Sequence, residues 1–357
     1  MHATPYFPHY TVLPYINSAY FMETGYVDEA KTRFLSMGAY RDARQMAMEC
    51  DYQKTKKLLA NGDFARAKSL FGALGEYSDS PKMVLECDYQ KAKRLLVSGK
   101  YDEAKSLFSQ LADADYKDSE TMVLETDYQN ALALYKAFAS VDDDDRQSID
   151  IEKALSLLAP IQKYSDAQKL LLEVKDAIYD YAEYNFSASL AIMEMSGLPE
   201  DYESASDYYA NHLLTAQRYF ELIKDYSGTN QYLDLLDILK TDVSILNYVR
   251  LMEMWNFSPA RRVILGNAYI TYFLEGTWEG NDGYSFRLTR DSNGDVGAVC
   301  DIPRSNGRYF AILGLTYYSK NTENEWREIY RFSVLDWYTI NIYAYKNGMT
   351  YRLVRQS

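Results

Sequence analysis

A short motif in which Asp follows Tyr by two residues recurs along the first half of this chain. Its four copies are Tyr40-Arg41-Asp42-Ala43, Tyr77-Ser78-Asp79-Ser80, Tyr116-Lys117-Asp118-Ser119 and Tyr164-Ser165-Asp166-Ala167. The first three copies are separated by 37 and 39 residues. A period of this length is typical of stacked helical hairpins, because each unit buries its apolar face only against its neighbours. The motif therefore predicts an α-solenoid over most of the chain.

The first three predicted hairpins repeat one internal pattern around a glycine. In the clearest copy Gly99 ends a long first helix, and the second helix carries Ala104, Phe108 and Leu111 on one face. Glycine permits the left-handed backbone of a helix end. Alanine lets the two helices approach closely, and the larger residues fill the space toward the next hairpin. Two earlier copies follow the same pattern: Gly25, Val27, Ala30, Phe34 and Met37, then Gly62, Phe64, Ala67, Phe71 and Leu74.

The Asp of the repeated motif stands directly before the first helix of the next predicted hairpin. An Asp side chain in that position accepts a hydrogen bond from a free amide of the first helical turn. We therefore expect a structural, helix-capping role at four positions: Asp42, Asp79, Asp118 and Asp166.

The spacing of Gly, an aromatic residue, Ala and a second aromatic residue resembles the tetratricopeptide repeat family, and the run 86–92 is similar to tandem helical repeats of bacterial proteins. The resemblance implies a concave groove lined by the first helices. The positions that would line it are Glu49, Tyr52, Lys56, Glu86, Tyr89, Lys93, Glu125, Tyr128 and Leu132. Tyr with both signs of charge suits a peptide or loop partner, whereas the alternative is that these residues only pack the repeats together. The family's clamp for a peptide carboxylate needs Lys and Asn at positions that hold Tyr and Lys here.

Near Gly276 the apolar residues change from helical spacing to strict alternation, as in the stretch 339–345. Three Asn-Gly pairs suit tight hairpin turns: Asn293-Gly294, Asn306-Gly307 and Asn347-Gly348. We expect about seven short strands in consecutive hairpins, forming a small antiparallel β-meander barrel or sandwich.

The first and last of these strands carry Gly276-Thr277-Trp278 and Arg355, which resembles the lipocalin-like (calycin) pattern. In that family the Arg stacks on the Trp and closes the end of the barrel, a cation–π contact. The resemblance implies that Trp278 and Arg355 have a structural role. A barrel this small is expected to be filled by side chains. A structural module is therefore favoured, and a carrier of a small apolar ligand or lipid is the alternative.

Composition argues against several classes of function. The net charge of −13 disfavours nucleic acid as a partner, since phosphate contacts need a basic surface. The histidines and cysteines are few and far apart: His2, His9, His212, Cys50, Cys87 and Cys300. They form no catalytic set, zinc pattern or disulfide framework, and the acidic run 142–145 lacks the Gly and Glu that a calcium loop requires. We expect no enzymatic activity, no metal and no cofactor.

No stretch is apolar and long enough to span a membrane, and the first residues lack the pattern of a signal peptide. As written, the chain is expected to be cytoplasmic. The repeat is already under way near residue 13. Either the apolar start folds back as a cap, or the chain is a piece of a longer protein, which would allow association with a membrane or the cell envelope.

These features predict a mainly α chain with a separate all-β domain. A tetratricopeptide-like α-solenoid of about five helical hairpins is expected over 1–274, and the β module over 275–357. The hairpins are predicted near 13–38, 42–75, 79–113, 118–162 and, in divergent form, 166–274. The predicted function is a non-enzymatic scaffold that binds a protein or peptide on its concave face. A weaker alternative is an enzyme fragment that lacks its active half.

Overall fold

The computed structural model of the chain describes residues 12–143, 145–195, 202–240, 245–266, 270–292, 296–303, 309–313, 315–320 and 326–356. Helices come first and strands second, which confirms a mainly α fold with a separate antiparallel β region. The last helix ends at Leu274 and the first strand begins at Gly276. Contacts divide the chain elsewhere, into the compact units Met1–Val174 and Lys175–Ser357. The last helices and the sheet therefore share one unit.

The described part of the first unit contains four helical hairpins, each close to its predicted position. Their helices are α1 (Val12–Glu23), α2 (Val27–Ser36), α3 (Ala43–Ala60), α4 (Phe64–Leu74), α5 (Ser80–Val97), α6 (Tyr101–Asp113), α7 (Ser119–Ser140) and α8 (Ile151–Leu158). A short 3-10 helix, Arg146–Ser148, lies between α7 and α8, directly after the acidic run 142–145.

The turn inside a hairpin is closed by a left-handed glycine, as the pattern predicts. Gly62 has a φ of +81°, and the amide of Asp63 donates to the carbonyl of Leu58 over 3.0 Å. This bond satisfies one of the free carbonyls at the end of α3. The turn also lies close to Arg94: a Cβ atom on Gly62 would stand 2.5 Å from Nη1, so the Arg94 side chain would have to shift.

The core of each hairpin follows the predicted roles of small and large residues. The fully buried alanines and phenylalanines recur with the repeat: Ala30, Ala67, Ala104, Phe34, Phe71 and Phe108. Cys50 and Cys87 are only 1% exposed. Burial raises the pKa of both thiols to about 11, so they serve as small apolar residues of the core.

The turns between hairpins show that the predicted helix-capping role of the motif's Asp has to be corrected. Asp42, Asp79 and Asp118 directly precede α3, α5 and α7, but their side chains accept no bond from the first turn of the helix. The capping prediction is wrong for these three residues because, as described below, their carboxylates accept a hydrogen bond from the preceding hairpin instead. Asp166 directly precedes α9 (Ala167–Met195), and its backbone carbonyl accepts from the amide of Leu170.

Side-chain caps are found at two other aspartates. Asp63 accepts from the amide of Arg66 at the start of α4, and Asp150 accepts from the amide of Lys153 at the start of α8. Both caps therefore stand at the second helix of a hairpin. The sequence places an acidic residue at these points, but the Tyr-x-Asp repeat does not include them.

The second unit begins within α9. The helices that follow are α10 (Tyr202–Leu222), α11 (Thr229–Leu239), α12 (Ile245–Glu253), α13 (Ser258–Gly266) and α14 (Ile270–Leu274). They lie within the divergent region that the sequence predicts over 166–274. Residues 241–244, between α11 and α12, and residues 267–269, between α13 and α14, lie outside the described part of the chain.

The described strands form one curled antiparallel sheet. They are β1 (Gly276–Glu279), β2 (Ser285–Arg290), β3 (Val296–Cys300), β4 (Tyr309–Leu313), β5 (Thr316–Lys320), β6 (Trp326–Val334), β7 (Thr339–Ala344) and β8 (Met349–Arg355). Their order is β3-β2-β1-β8-β7-β6-β5-β4. The described residues thus form eight strands, close to the predicted number of about seven.

The first and last strands, β1 and β8, are neighbours in the middle of the sheet, and its two edges are β3 and β4. Trp278 on β1 is the register partner of Arg355 on β8. A hairpin at Asn306-Gly307 would pair β3 with β4, but these strands are the two edges of the sheet. That pair and Asn293-Gly294 lie outside the described residues. The third predicted turn is present, with Gly348 at a φ of +68° between β7 and β8.

Candidate functional site

Adjacent hairpins of the first unit are joined by a repeated hydrogen bond between Tyr and Asp. The hydroxyl of Tyr89 on α5 donates to Asp118, which precedes α7, over 2.6 Å. Tyr15 donates to Asp42 over 2.5 Å, and Tyr52 donates to Asp79 in the same way. The Asp of the motif therefore holds the first helix of the preceding hairpin rather than capping the next helix.

The Tyr of the motif makes the reciprocal bond to a glutamate on that same first helix. Tyr116 donates to Glu86 over 2.5 Å, Tyr77 donates to Glu49 over 2.8 Å, and Tyr164 donates to Glu125 over 2.7 Å. The two Tyr rings of a joint also meet edge to face, with centroids 6.0 to 6.4 Å apart in the copies after the first. We call this arrangement of two Tyr, one Asp and one Glu the tyrosine joint.

The second unit contains a related contact. Tyr226 donates to Asp176, which stands three residues before Tyr179 just as Glu86 stands three before Tyr89. The rings of Tyr179 and Tyr226 lie 5.7 Å apart. The tyrosine joint is therefore not confined to the regular repeats.

The joint holds its tyrosines in the protonated state. Burial and the bond to Asp118 raise the pKa of Tyr89 to about 12. The bond to Asp79 and burial do the same for Tyr52, and burial with the bonds to Glu49 and Glu125 does so for Tyr77 and Tyr164. The cause is common to all four: a hydroxyl that donates to a carboxylate resists becoming a second anion beside it.

These contacts already occupy most of the residues that were predicted to line a binding groove. Tyr52 and Tyr89 are only 7% and 6% exposed, and their hydroxyls are already bonded. Glu49 and Glu86 are acceptors for the joint. Tyr128, on α7, is partly buried against Tyr164. The alternative interpretation, that these positions pack the repeats together, therefore describes their contacts.

Two predicted residues remain exposed. Lys56 on α3 and Lys93 on α5 place their ammonium groups 5.4 and 5.7 Å from the ring centroids of Tyr52 and Tyr89. Neither forms an ion pair with any residue that the structure describes. They are therefore cations on the surface above the tyrosine joint.

A cavity of about 480 Å³ lies between α3 and α5, and we call it the α3–α5 groove. Its walls are the end of α3 with the turn that follows it (Lys56 and 59–62), Phe64, and the face of α5 that carries Met83, Glu86, Gln90 and Arg94. A second cavity of about 320 Å³ adjoins it at Gly62, Phe64 and Arg94, and adds Lys91 and Lys100. Lys56 and Glu86 are the only residues of the predicted groove that take part in these walls.

Arg94 lies at the junction of the two cavities. Its guanidinium stands 6.0 Å from the centroid of Phe64 and packs against the Gly62 turn. Arg94, Gln90 and Phe64 were not predicted as binding residues. Arg94 directly follows the predicted Lys93, but its place beside the turn of the preceding hairpin depends on how the hairpins stack.

The groove offers binding chemistry rather than reaction chemistry. Its polar side chains are two cations, two amides and a carboxylate. Glu86 is engaged by Lys117, Tyr116 and Gln90. Burial alone would raise the pKa of Glu86, but these donors outweigh it and lower the pKa, so the carboxylate is ionised. An anionic or hydrogen-bonding segment is the kind of ligand that such walls contact.

The pairing of β1 with β8 is surrounded by contacts of Arg355. Its guanidinium lies 4.2 Å from the centroid of the Trp278 ring and 4.9 Å from that of Trp337. It donates to the carbonyls of Phe273 and Glu275, at the end of the last helix. Burial lowers the pKa of Arg355. The residue thus connects the last strand, the first strand and α14.

Other candidate sites give no catalytic arrangement within the described residues. His212 contacts the side chain of Asn185, with Nδ1 and Oδ1 2.8 Å apart, while His2 and His9 lie outside the described part. In the acidic insertion Asp143 pairs with Arg146 at 2.8 Å. The described residues contain no group of three metal-ligating side chains, and none of the described helices is long and apolar enough to cross a membrane.

Comparison with known proteins adds no relative. No protein-family model matches the chain, and no curated protein matches it. The geometry of the helical hairpins and of the α3–α5 groove is therefore the basis for any functional assignment.

Proposed function

We propose that this protein is a non-enzymatic interaction scaffold, in which a tetratricopeptide-like array of helical hairpins binds a protein or peptide. One observation carries the proposal: the α3–α5 groove, with exposed Lys56 and Arg94 in its walls, lies beside rigid tyrosine joints. A binding surface that is already fixed before the partner arrives loses little conformational freedom on association.

The repeated joint explains why the array suits this role. The joint of α3 ties that helix to the turn that leads into α5, by two hydrogen bonds that involve carboxylates, and the joint of α5 repeats both bonds. Such bonds are stronger than neutral ones. The spacing of α3 and α5 is then set by the protein itself, and the walls of the groove keep their positions.

The test is site-specific photo-crosslinking in cells with the full chain. A photoreactive amino acid at Asn61, in the groove, should capture a protein partner, and capture should fall when Arg94 is changed to Gln. The same amino acid at the exposed Tyr338 of the β module serves as the comparison. Capture at Tyr338 alone, with none at Asn61, would transfer the interaction to the sheet and overturn the proposal.

A ligand-carrying role for the sheet is a second candidate, favoured by the contact of Trp278 with Arg355, which a lipocalin-like module would share. The large buried side chains of the sheet argue for a structural module instead: Trp278, Phe286, Tyr317, Tyr330, Phe332 and Leu353 are at most 2% exposed. Titration with a fluorescent fatty acid separates the two. Saturable binding that is lost in Phe286→Ala or Phe332→Ala would support the carrier.

A further inference from the structure

We propose that the partner of the α3–α5 groove is an acidic peptide segment, with carboxylates that contact Lys56 and Arg94 and an apolar residue between them. This inference rests on the proposed scaffold function and names the chemistry of its partner. It is carried by the local charge of the groove, which is opposite to the charge of the chain as a whole.

The charges around the two adjoining cavities are unbalanced. The chain carries a net charge of −13, yet Lys56, Lys91, Arg94 and Lys100 line these cavities against a single acid, Glu86. Lys100 has a weak, exposed partner in Glu103 at 3.5 Å. The other three cations form no ion pair with any described residue.

The single acid of the groove does not neutralise these cations. Glu86 is held by the ammonium of Lys117, by the hydroxyl of Tyr116 and by the amide of Gln90. All three donors direct Glu86 into the tyrosine joint. Lys56 and Arg94 are therefore left to attract an anion from outside.

Three lysines elsewhere in the same repeats are paired with an acid. Lys31, Lys68 and Lys105 occupy the same position in successive hairpins and contact Asp51, Asp88 and Asp127 at 2.6 to 2.7 Å. The repeat thus supplies an acid for the equivalent lysines of α2, α4 and α6, and none of the described residues pairs with Lys56 or Arg94. What distinguishes the groove is that Lys56, Lys91 and Arg94 line the same two adjoining cavities without an ion-pair partner among the described residues.

The remaining walls favour a peptide over a compact anion. Leu59, Met83 and Phe64 give an apolar floor next to the cations. Arg94 presents a planar guanidinium, which suits a carboxylate bound through two parallel hydrogen bonds. Arg94 occupies the same position in its repeat as Lys57 in the preceding one. This is not one of the positions of the family's carboxylate clamp, which hold Tyr and Lys in this chain.

The experiment uses the full chain and a fluorescein-labelled peptide of alternating Glu and Leu, followed by fluorescence anisotropy. We expect saturable binding that weakens with salt, because exposed charges are screened. Lys56→Gln combined with Arg94→Gln should raise Kd by about tenfold or more, since bonds to charged groups are the strong ones. Lys57→Gln is the matched control: it is exposed on the same helix but lies outside the groove, and should change Kd by about twofold at most.

Three outcomes would overturn the inference. One is equal binding by the double variant and the unchanged protein. Another is that a peptide with Gln in place of Glu binds with the same Kd as the acidic peptide, which would show that the groove recognises apolar residues and not carboxylates. The third is binding of oligouridylate without binding of the peptide, which would show a nucleic-acid site. Partner capture at Asn61 in cells without binding of the acidic peptide would refute the acidic chemistry and leave the scaffold function standing, whereas the absence of both would refute both.

Discussion

The tyrosine joint predicts a measurable coupling between two residues that are 29 positions apart. Tyr89→Phe removes only the hydroxyl and leaves the ring, whose edge-to-face contacts with Phe108 and Tyr116 have centroid distances of 5.8 and 6.0 Å. A hydrogen bond to a charged group contributes about 1.5 to 3 kcal/mol. Asp118 is exposed and regains water when the hydroxyl is lost. We therefore expect the lower end, a loss of about 1.5 kcal/mol in the free energy of unfolding.

The partner substitution tests the same bond from the other side. Asp118→Ala leaves a hydroxyl on a residue that is 6% exposed without its acceptor. An unsatisfied buried polar group costs about 1 to 3 kcal/mol. Because both single variants lose the same bond, the double variant should be no more than about 0.5 kcal/mol less stable than Asp118→Ala alone. The coupling energy should thus be about 1 to 1.5 kcal/mol.

The assay is urea unfolding of the full chain followed by far-UV circular dichroism, with the slope of the transition checked in every variant. Tyr101→Phe is the matched control, because its partly buried hydroxyl has no hydrogen bond within the described residues. It should change stability by less than about 0.5 kcal/mol. Strictly additive effects of Tyr89→Phe and Asp118→Ala would refute the joint as a stabilising contact.

Three further predictions concern the same features. The pKa of four joint tyrosines is about 12 in the folded protein and about 10 in the unfolded chain: Tyr52, Tyr77, Tyr89 and Tyr164. The stability that they contribute is therefore complete below pH 10 and is lost as the pH rises toward 12. Tyrosinate absorbance, measured together with unfolding at pH 8, 10 and 11, checks this prediction, and titration of all tyrosines in one step near pH 10 would contradict it. Ser78 has a φ of +52°, so Ser78→Val should be less stable than Ser78→Gly by about 1 to 2 kcal/mol in urea unfolding, and equal stability would remove the argument from backbone strain. Arg355→Ala should lower the temperature at which near-UV circular dichroism of the sheet is lost while the far-UV signal of α1–α8 is kept, because the contact with Trp278 and two hydrogen bonds disappear; unchanged melting would show that Arg355 does not hold the sheet closed.

Much of the helical architecture follows from the sequence because its rules are local. The period of the Tyr-x-Asp motif, the left-handed Gly62 and the buried Ala67 and Phe71 all belong to short stretches of chain. The same holds for the change of periodicity at Gly276. Such features depend on backbone conformation and on the burial of one helical face, and both are visible in neighbouring residues.

The proposed binding surface depends on pairings between distant residues, and the sequence does not identify these pairings. Asp118 occupies a capping position, yet its carboxylate binds Tyr89 of the preceding hairpin. In the sequence, Lys56 and Arg94 are helical cations that cannot be distinguished from Lys68, although Lys68 is paired with Asp88 in the structure. Only the stacking of α3 on α5 decides which cation has an acid within reach and which faces the groove.

The sequence by itself therefore determined the repeat, its turns and the change to strands, because each is a property of a short segment. The tertiary structure decided that the motif's Asp and Tyr form a joint rather than a cap, that β3 and β4 are edges, and that positive charge remains at Arg94. These features depend on contacts between residues that are far apart along the chain, such as the hydrogen bonds that span 27, 29 and 80 positions. Such residues come within reach of each other only when the hairpins and strands have packed.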